Sequence, residues 1–199
     1  MDHIVVDVEI KKTIEETPGG WDSTHELGVS VAVVFEFRTD RFRIYGPDDV
    51  PALRERLLKA ERISGFNTVN FDYPVVFGHS KSGWLSEVDR DDGVFELRKQ
   101  MLATHNDILR RIWESQSLDP DNFSPRTHEG FKLDVVAQET LGIGKIGNGA
   151  DAPKWFQAGL FHKLIEYCID DVTIERDLAT FVDRYGYVIG RGGRRLYLK

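Results

Sequence analysis

The octapeptide HIVVDVEI, residues His3 to Ile10, alternates as a β-strand does. Four apolar residues share one face of this predicted strand: Ile4, Val6, Val8 and Ile10. Val5, Asp7 and Glu9 share the other face. Two acids on one face of an apolar strand are costly to bury without partners. A bound divalent cation would remove that cost, because Mg²⁺ prefers oxygen ligands. The solvated face of an edge strand would remove it equally well.

The segments that follow predict an α/β protein. Leu27–Phe37 is rich in valine and phenylalanine, which predicts a long buried strand. Arg41–Tyr45 alternates and is expected to pair with that strand as a hairpin, giving three successive antiparallel strands. The helical period then begins near Asp49, and a short strand is predicted over Arg62–Phe66. A further helix is predicted to begin near Phe71.

The second half of the chain is predicted to be mostly helical. Leu133–Leu141 and Leu160–Tyr185 have helical patterns, and Asp107–Ile112 fits either a helix or a fifth strand. The longest helix is expected to bury five side chains: Phe161, Leu164, Ile165, Cys168 and Val172. Residues 190–199 are interpreted as a basic tail, which would be solvated or would meet a substrate backbone.

Length and composition exclude several classes of protein. A chain of 199 residues suits one domain, 1–199, with a core over about 3–185. No apolar run approaches the roughly 20 residues of a membrane span, and the acids near the start argue against a signal peptide. One cysteine, Cys168, fits a reducing compartment, so we expect a cytoplasmic protein. The net charge of −7 argues against broad electrostatic attraction to nucleic acid.

Two further segments contain acids that are candidates for a functional role. In GFNTVNFDYP, residues 65–74, Asp72 lies at a turn into a helix, where capping is its ordinary role. In YCIDDV, residues 167–172, Tyr167 and Asp171 are four residues apart. On a helix that spacing brings both side chains to one place, where a surface hydrogen bond is the simpler interpretation.

In order and spacing, VDVEI, GFNTVNFDYP and YCIDDV resemble the three motifs of the DEDD exonuclease superfamily, in its tyrosine (DEDDy) branch. The middle motif is similar to that of the proofreading domain of family B DNA polymerases and of related stand-alone predicted 3′–5′ exonucleases. The resemblance runs from about Asp7 to Tyr185 and includes LDVVAQETLG. The histidine branch would place His where this chain has Glu166.

The resemblance implies a ribonuclease H-like fold, α/β, with a five-stranded mixed sheet and helices on both faces. It also implies hydrolysis of phosphodiester bonds from the 3′ end by two divalent ions, Mg²⁺ or Mn²⁺. By motif position, Asp7 would bridge both ions, Glu9 and Asp171 would complete the first site, and Asp72 would support the second. Tyr167 would orient the attacking water.

The substrate implied is nucleic acid, with a single-stranded 3′ end favoured, in a setting such as DNA repair with an unidentified helicase or polymerase partner. Asn67 and Phe71 of the middle motif would lie near the scissile nucleotide, although a turn asparagine and a core phenylalanine are equally compatible. Two alternatives stay open: a non-catalytic nucleic-acid or protein interaction module, and a two-metal endonuclease.

A glycine-rich segment, Gly142–Gly147, matches the G-x-G-x-x-G pattern of dinucleotide sites. Such a site requires the pattern between a strand and a helix. Here it follows a predicted helix, so we interpret it as a turn in which Lys145 has a secondary chance of touching a phosphate.

Overall fold

The computed structural model describes residues 1–85, 92–144 and 147–198. The strands are β1 His3–Ile10, β2 Val29–Glu36, β3 Arg41–Tyr45, β4 Arg62–Gly65, β5 His105–Asp107, β6 Tyr187–Gly190 and β7 Arg194–Tyr197. The helices are α1 Thr24–Leu27, α2 Val50–Lys59, α3 Asp72–Phe77, α4 Lys81–Leu85, α5 Asp92–Thr104, α6 Ile108–Ser115, α7 Pro125–His128, α8 Leu133–Leu141, α9 Ala152–Gln157 and α10 Phe161–Tyr185. Short 3₁₀ turns at 14–16, 20–22, 47–49, 149–151 and 191–193 complete the elements.

Strands β1 to β5 form one mixed sheet in the order β3-β2-β1-β4-β5. The first three strands are antiparallel, as the sequence predicts, whereas β4 and β5 run parallel to β1. The fifth strand ends at Asp107, and α6 begins at Ile108. The ambiguous segment 107–112 is therefore mainly helix, and the strand precedes it.

Strand β1 lies inside the sheet, between β2 and β4, and helices pack on both of its faces. Ile4, Val6, Val8 and Ile10 pack in one core with residues of α2 and α3. Val5 packs in another core with Leu164, Cys168 and Val172 of α10. The mixed sheet between helical layers confirms the predicted α/β architecture, and the central position of β1 excludes the solvated-edge interpretation of Asp7 and Glu9.

The C-terminal region differs from the prediction in two respects. Strands β6 and β7 form an antiparallel hairpin whose Val188 and Leu196 are buried in a core with α6 and α8, so the described residues 190–198 are part of the packed structure. The sequence predicts a buried Phe161, but this side chain is 53% exposed, because it begins α10 before the helix crosses the sheet. Within the described residues, no helix has the length and apolar character to span a membrane.

Candidate metal centre and its cleft

Three acids from β1 and α10 meet at one point. Asp7 and Glu9 point from the same face of β1, and α10 crosses that face with Asp171. One carboxylate oxygen from each of the three lies within 4.8 Å of the others. Glu9 is 7% exposed and Asp171 2% exposed, so their charges are poorly screened by water. Clustered oxygen donors of this kind suit a hard divalent cation.

Asp72, the fourth predicted acid, begins α3 beside this cluster and is 3% exposed. Burial, followed by the charges of Asp7 and Asp107, raises the pKa of Asp72 well above its ordinary value. Its Oδ1 is buried and makes no hydrogen bond with any residue that the structure describes. Asp72 lies outside the compact group of three. A cation beside it would supply the missing partner for Oδ1.

Tyr167 lies one turn before Asp171 on α10 and is 3% exposed. Its ring stands edge-on to Trp155, with 5.5 Å between the ring centroids. Gly147 covers the same ring: its φ is +124°, and a Cβ there would lie 3.3 Å from Cδ2 and Cε2 of Tyr167. Gly147 therefore closes over the tyrosine, as only a residue without a side chain can do without strain. Lys145 lies outside the described residues.

Cys168 is buried directly behind the acids. Its thiol Sγ lies 3.5 Å from Oδ2 of Asp7. Burial and the charges of Asp7, Glu9 and Asp171 raise the pKa of the thiol well above its ordinary value. Cys168 therefore stays protonated and acts as a small buried side chain that supports Asp7.

The middle motif forms a tight loop between β4 and α3. Gly65 is required there, because a Cβ would lie 3.1 Å from the carbonyl oxygen of Val6 and would collide with Thr68. Asn67 has a φ of +68°, and its backbone N–H donates to the carboxylate of Asp107. Asn67 lines the neighbouring cleft. Phe71 instead packs against the first core and Trp21, with 6.3 Å between the two ring centroids.

A cleft of about 750 Å³ opens beside the acids, with Asp7 in its wall. Its lining includes five aromatic side chains, Trp21, Phe66, Trp113, Phe123 and Phe131. Lys81 and Lys132 add positive charge. Trp21 is 64% exposed and Phe123 48% exposed, so these two rings are accessible for stacking.

Glu175 is a site residue that the sequence reasoning missed. It is 1% exposed and lines the cleft together with Asp7. The sequence contains a signal for this residue, because Glu175 follows Asp171 by four residues and therefore continues the face of α10 that carries Tyr167. The aromatic rings of the cleft come from distant loops and gave no such signal.

No known protein-family profile matches the chain. No curated protein matches it either. Among solved structures, the chain is similar to the family B DNA polymerase from the hyperthermophilic archaeon Pyrobaculum calidifontis, with a TM-score of 0.55 and 15% sequence identity. The match covers 92% of this chain and 24% of the polymerase chain, so this chain spans about a quarter of the polymerase. The similarity supports the ribonuclease H-like fold.

Proposed function

We propose that this protein is a metal-dependent 3′–5′ exonuclease of the DEDDy type that acts on nucleic acid. The observation that carries the proposal is the meeting of Asp7 and Glu9 from β1 with Asp171 from α10, with one oxygen of each within 4.8 Å of the others. The buried Asp72 beside them supports it, because Oδ1 makes no hydrogen bond to any described residue and thus suits a cation.

The acids hold the metal in this proposal. Asp7, Glu9 and Asp171 would hold one Mg²⁺ or Mn²⁺ ion, and Asp7 together with Asp72 would hold a second. Two such ions would supply a hydroxide nucleophile and neutralise the charge that develops on the leaving oxygen. Clustered carboxylates alone would repel a phosphodiester, so the same ions also make the site able to accept its substrate.

The remaining residues position the reactants. Tyr167, on the same face of α10 as Asp171, orients the attacking water through its hydroxyl group. Asn67 contacts the terminal nucleotide from the wall of the cleft, whereas Phe71 acts indirectly by fixing Trp21. Exposed rings such as Trp21 and Phe123 can stack on unpaired bases, which favours a single-stranded 3′ end.

The test uses 5′-labelled single-stranded and duplex DNA and RNA with Mg²⁺ or Mn²⁺. We expect a ladder that shortens from the 3′ end and disappears with EDTA. Glu9→Gln should abolish the ladder, whereas Glu15→Gln, an exposed acid six residues away, should preserve it. Internal cuts would instead identify an endonuclease, and binding without cleavage would identify an interaction module.

A further inference from the structure

The turn of the C-terminal hairpin adjoins the cleft. Between β6 and β7, the sequence Arg191-Gly-Gly-Arg194 borders a hollow of about 260 Å³. This hollow shares Glu129, Gly130 and Phe131 with the wall of the 750 Å³ cleft. The two depressions are therefore neighbours that share residues 129–131.

The arginine side chains of the hairpin lie on different faces. Arg194 and the buried Leu196 are two residues apart on β7 and both line the hollow. Arg195 lies on the opposite face, with its guanidinium 4.8 Å from the centre of the Tyr187 ring. Arg191 and Arg194 are exposed, and neither forms an ion pair with any residue the structure describes. Both are available to a ligand.

Arg191 also lines two neighbouring hollows, and the three hollows differ in the net charge of their lining residues. In the hollow beside the cleft, Arg191 and Arg194 face Glu129 alone, so its net charge is +1. A second hollow, of about 340 Å³, is neutral because Asp134 and Glu129 balance Arg191 and Lys132. The third, of about 410 Å³, has a net charge of −1 because Asp134 and Glu139 outnumber Arg191. A polyanion is therefore favoured only in the first.

We propose that Arg191 and Arg194 bind the backbone phosphates of a single-stranded nucleic acid whose 3′ end occupies the cleft. The strand passes over Gly130 and Phe131 to reach the hairpin. This inference rests on the proposed function, because it assigns a binding site to the part of the same substrate that lies away from the 3′ end. A chain with a net charge of −7 attracts a polyanion only where positive side chains are concentrated, and here two arginines stand within one turn.

The test measures binding separately from cleavage. The anisotropy of a 5′-labelled 20-nucleotide DNA is titrated with Asp171→Asn protein, which keeps the strand intact, with and without R191Q/R194Q. We expect the double substitution to weaken binding about 5- to 20-fold. It should also lower the slope of log Kd against log salt by about 1.4, or about 0.7 for each lost phosphate contact. Arg195→Gln in the same background, the loss of one positive charge on the other face, should change Kd less than twofold.

Three further measurements make the result decisive. R191K/R194K keeps the charge and should restore the salt slope, and all variants should melt like the parent. The effect of R191Q/R194Q should diminish as the DNA is shortened, since a short strand does not reach the hairpin. Equal binding by R191Q/R194Q and R195Q, or an effect that persists on a mononucleotide, would overturn the inference even if the wild-type protein degrades DNA. A wild-type protein that binds DNA without cutting it would overturn the exonuclease proposal alone.

Discussion

Asp107 and Asp72 are neighbouring acids, each 3% exposed, in opposite situations. The carboxylate of Asp107 accepts four backbone N–H groups, from Asn67, Val69, Leu109 and Arg110. Asp72 has an Oδ1 with no hydrogen bond to any described residue, and the charges of Asp7 and Asp107 act on it. A buried carboxylate that is saturated by backbone donors holds the fold together, whereas one that keeps an oxygen without a hydrogen bond can take a further partner. The comparison separates Asp107, which supports the fold, from Asp72, which we propose to belong to the functional site.

The largest expected effect separates two adjacent acids on α10. Asp171 is 2% exposed and belongs to the cluster, whereas Asp170 is half-buried and lies outside it. Asp171→Asn removes one charge from the metal centre at nearly constant size, so we expect kcat to fall by on the order of 10³-fold. Asp170→Asn should retain most activity, because a surface charge contributes only about 0–1 kcal/mol.

Single-turnover degradation of the labelled DNA measures this difference, and circular dichroism confirms that both variants fold. The pair controls for helix propensity and for local net charge, since the two residues are adjacent on the same helix. Equal loss of activity in both variants, or loss in Asp170→Asn alone, would show that the third motif has another register. The role of Tyr167 would then be withdrawn with it.

The next effect is on stability. An ion that binds only the folded protein stabilises it by about 2.7 kcal/mol at one hundred times its dissociation constant. We therefore expect a higher melting temperature in Mn²⁺ than in EDTA for the wild-type protein. Asn or Gln at Asp7, Glu9 and Asp171 of the cluster and at the neighbouring Asp72 should abolish the difference, whereas Asp107→Asn should keep it. Identical wild-type melts at Mn²⁺ concentrations that saturate activity would exclude the metal centre.

The same substitution should have opposite effects at the two buried aspartates when metal is absent. In Asp107→Asn an amide NH₂ replaces one oxygen that accepts backbone N–H groups, and an unsatisfied buried donor costs about 1–3 kcal/mol. The free energy of unfolding should fall by this amount. Urea denaturation at pH 7 in EDTA measures it.

Asp72→Asn should raise the free energy of unfolding under those conditions. Burial and the charges of Asp7 and Asp107 raise the pKa of Asp72 above its ordinary value of 3.8. The folded protein therefore holds this proton more tightly than the unfolded chain, and stability is lost as the pH rises above that ordinary value. Asparagine does not ionise, so the loss disappears. A destabilised Asp72→Asn protein would show that Asp72, like Asp107, has a structural role.

The sequence predicts the strand and helix that carry the acid cluster better than the contacts that hold the surrounding structure in place. The alternation in His3–Ile10 correctly separates the two cores that meet at β1, because a strand has a fixed period of two. The fixed helical period likewise places Tyr167 beside Asp171. Local periodicity is sufficient for these two predictions because each pattern lies within a single strand or helix.

The surrounding contacts could not be predicted because they join segments that are far apart in the sequence. Asp107 reaches the middle motif across about 40 residues, which no local pattern reports. The sequence predicts a tail over residues 190–199, although most of them belong to the hairpin, because their charged residues hide the burial of Leu196. Single hydrophobic residues between arginines carry little signal until a partner core is known.

The smallest expected effect concerns Tyr167, which is proposed to orient the attacking water. Tyr167→Phe removes the hydroxyl group and keeps the ring that packs between Trp155 and Gly147. Because the hydroxyl is proposed to orient water in the transition state, kcat should fall about tenfold, or about 1.4 kcal/mol, while KM and the Mn²⁺ dependence stay unchanged. Tyr185→Phe, at the exposed end of the same helix, provides the matched control and should have wild-type kcat. Steady-state kinetics on labelled single-stranded DNA measure both variants. An unchanged kcat in Tyr167→Phe would assign this tyrosine, like Asp107, to structural support.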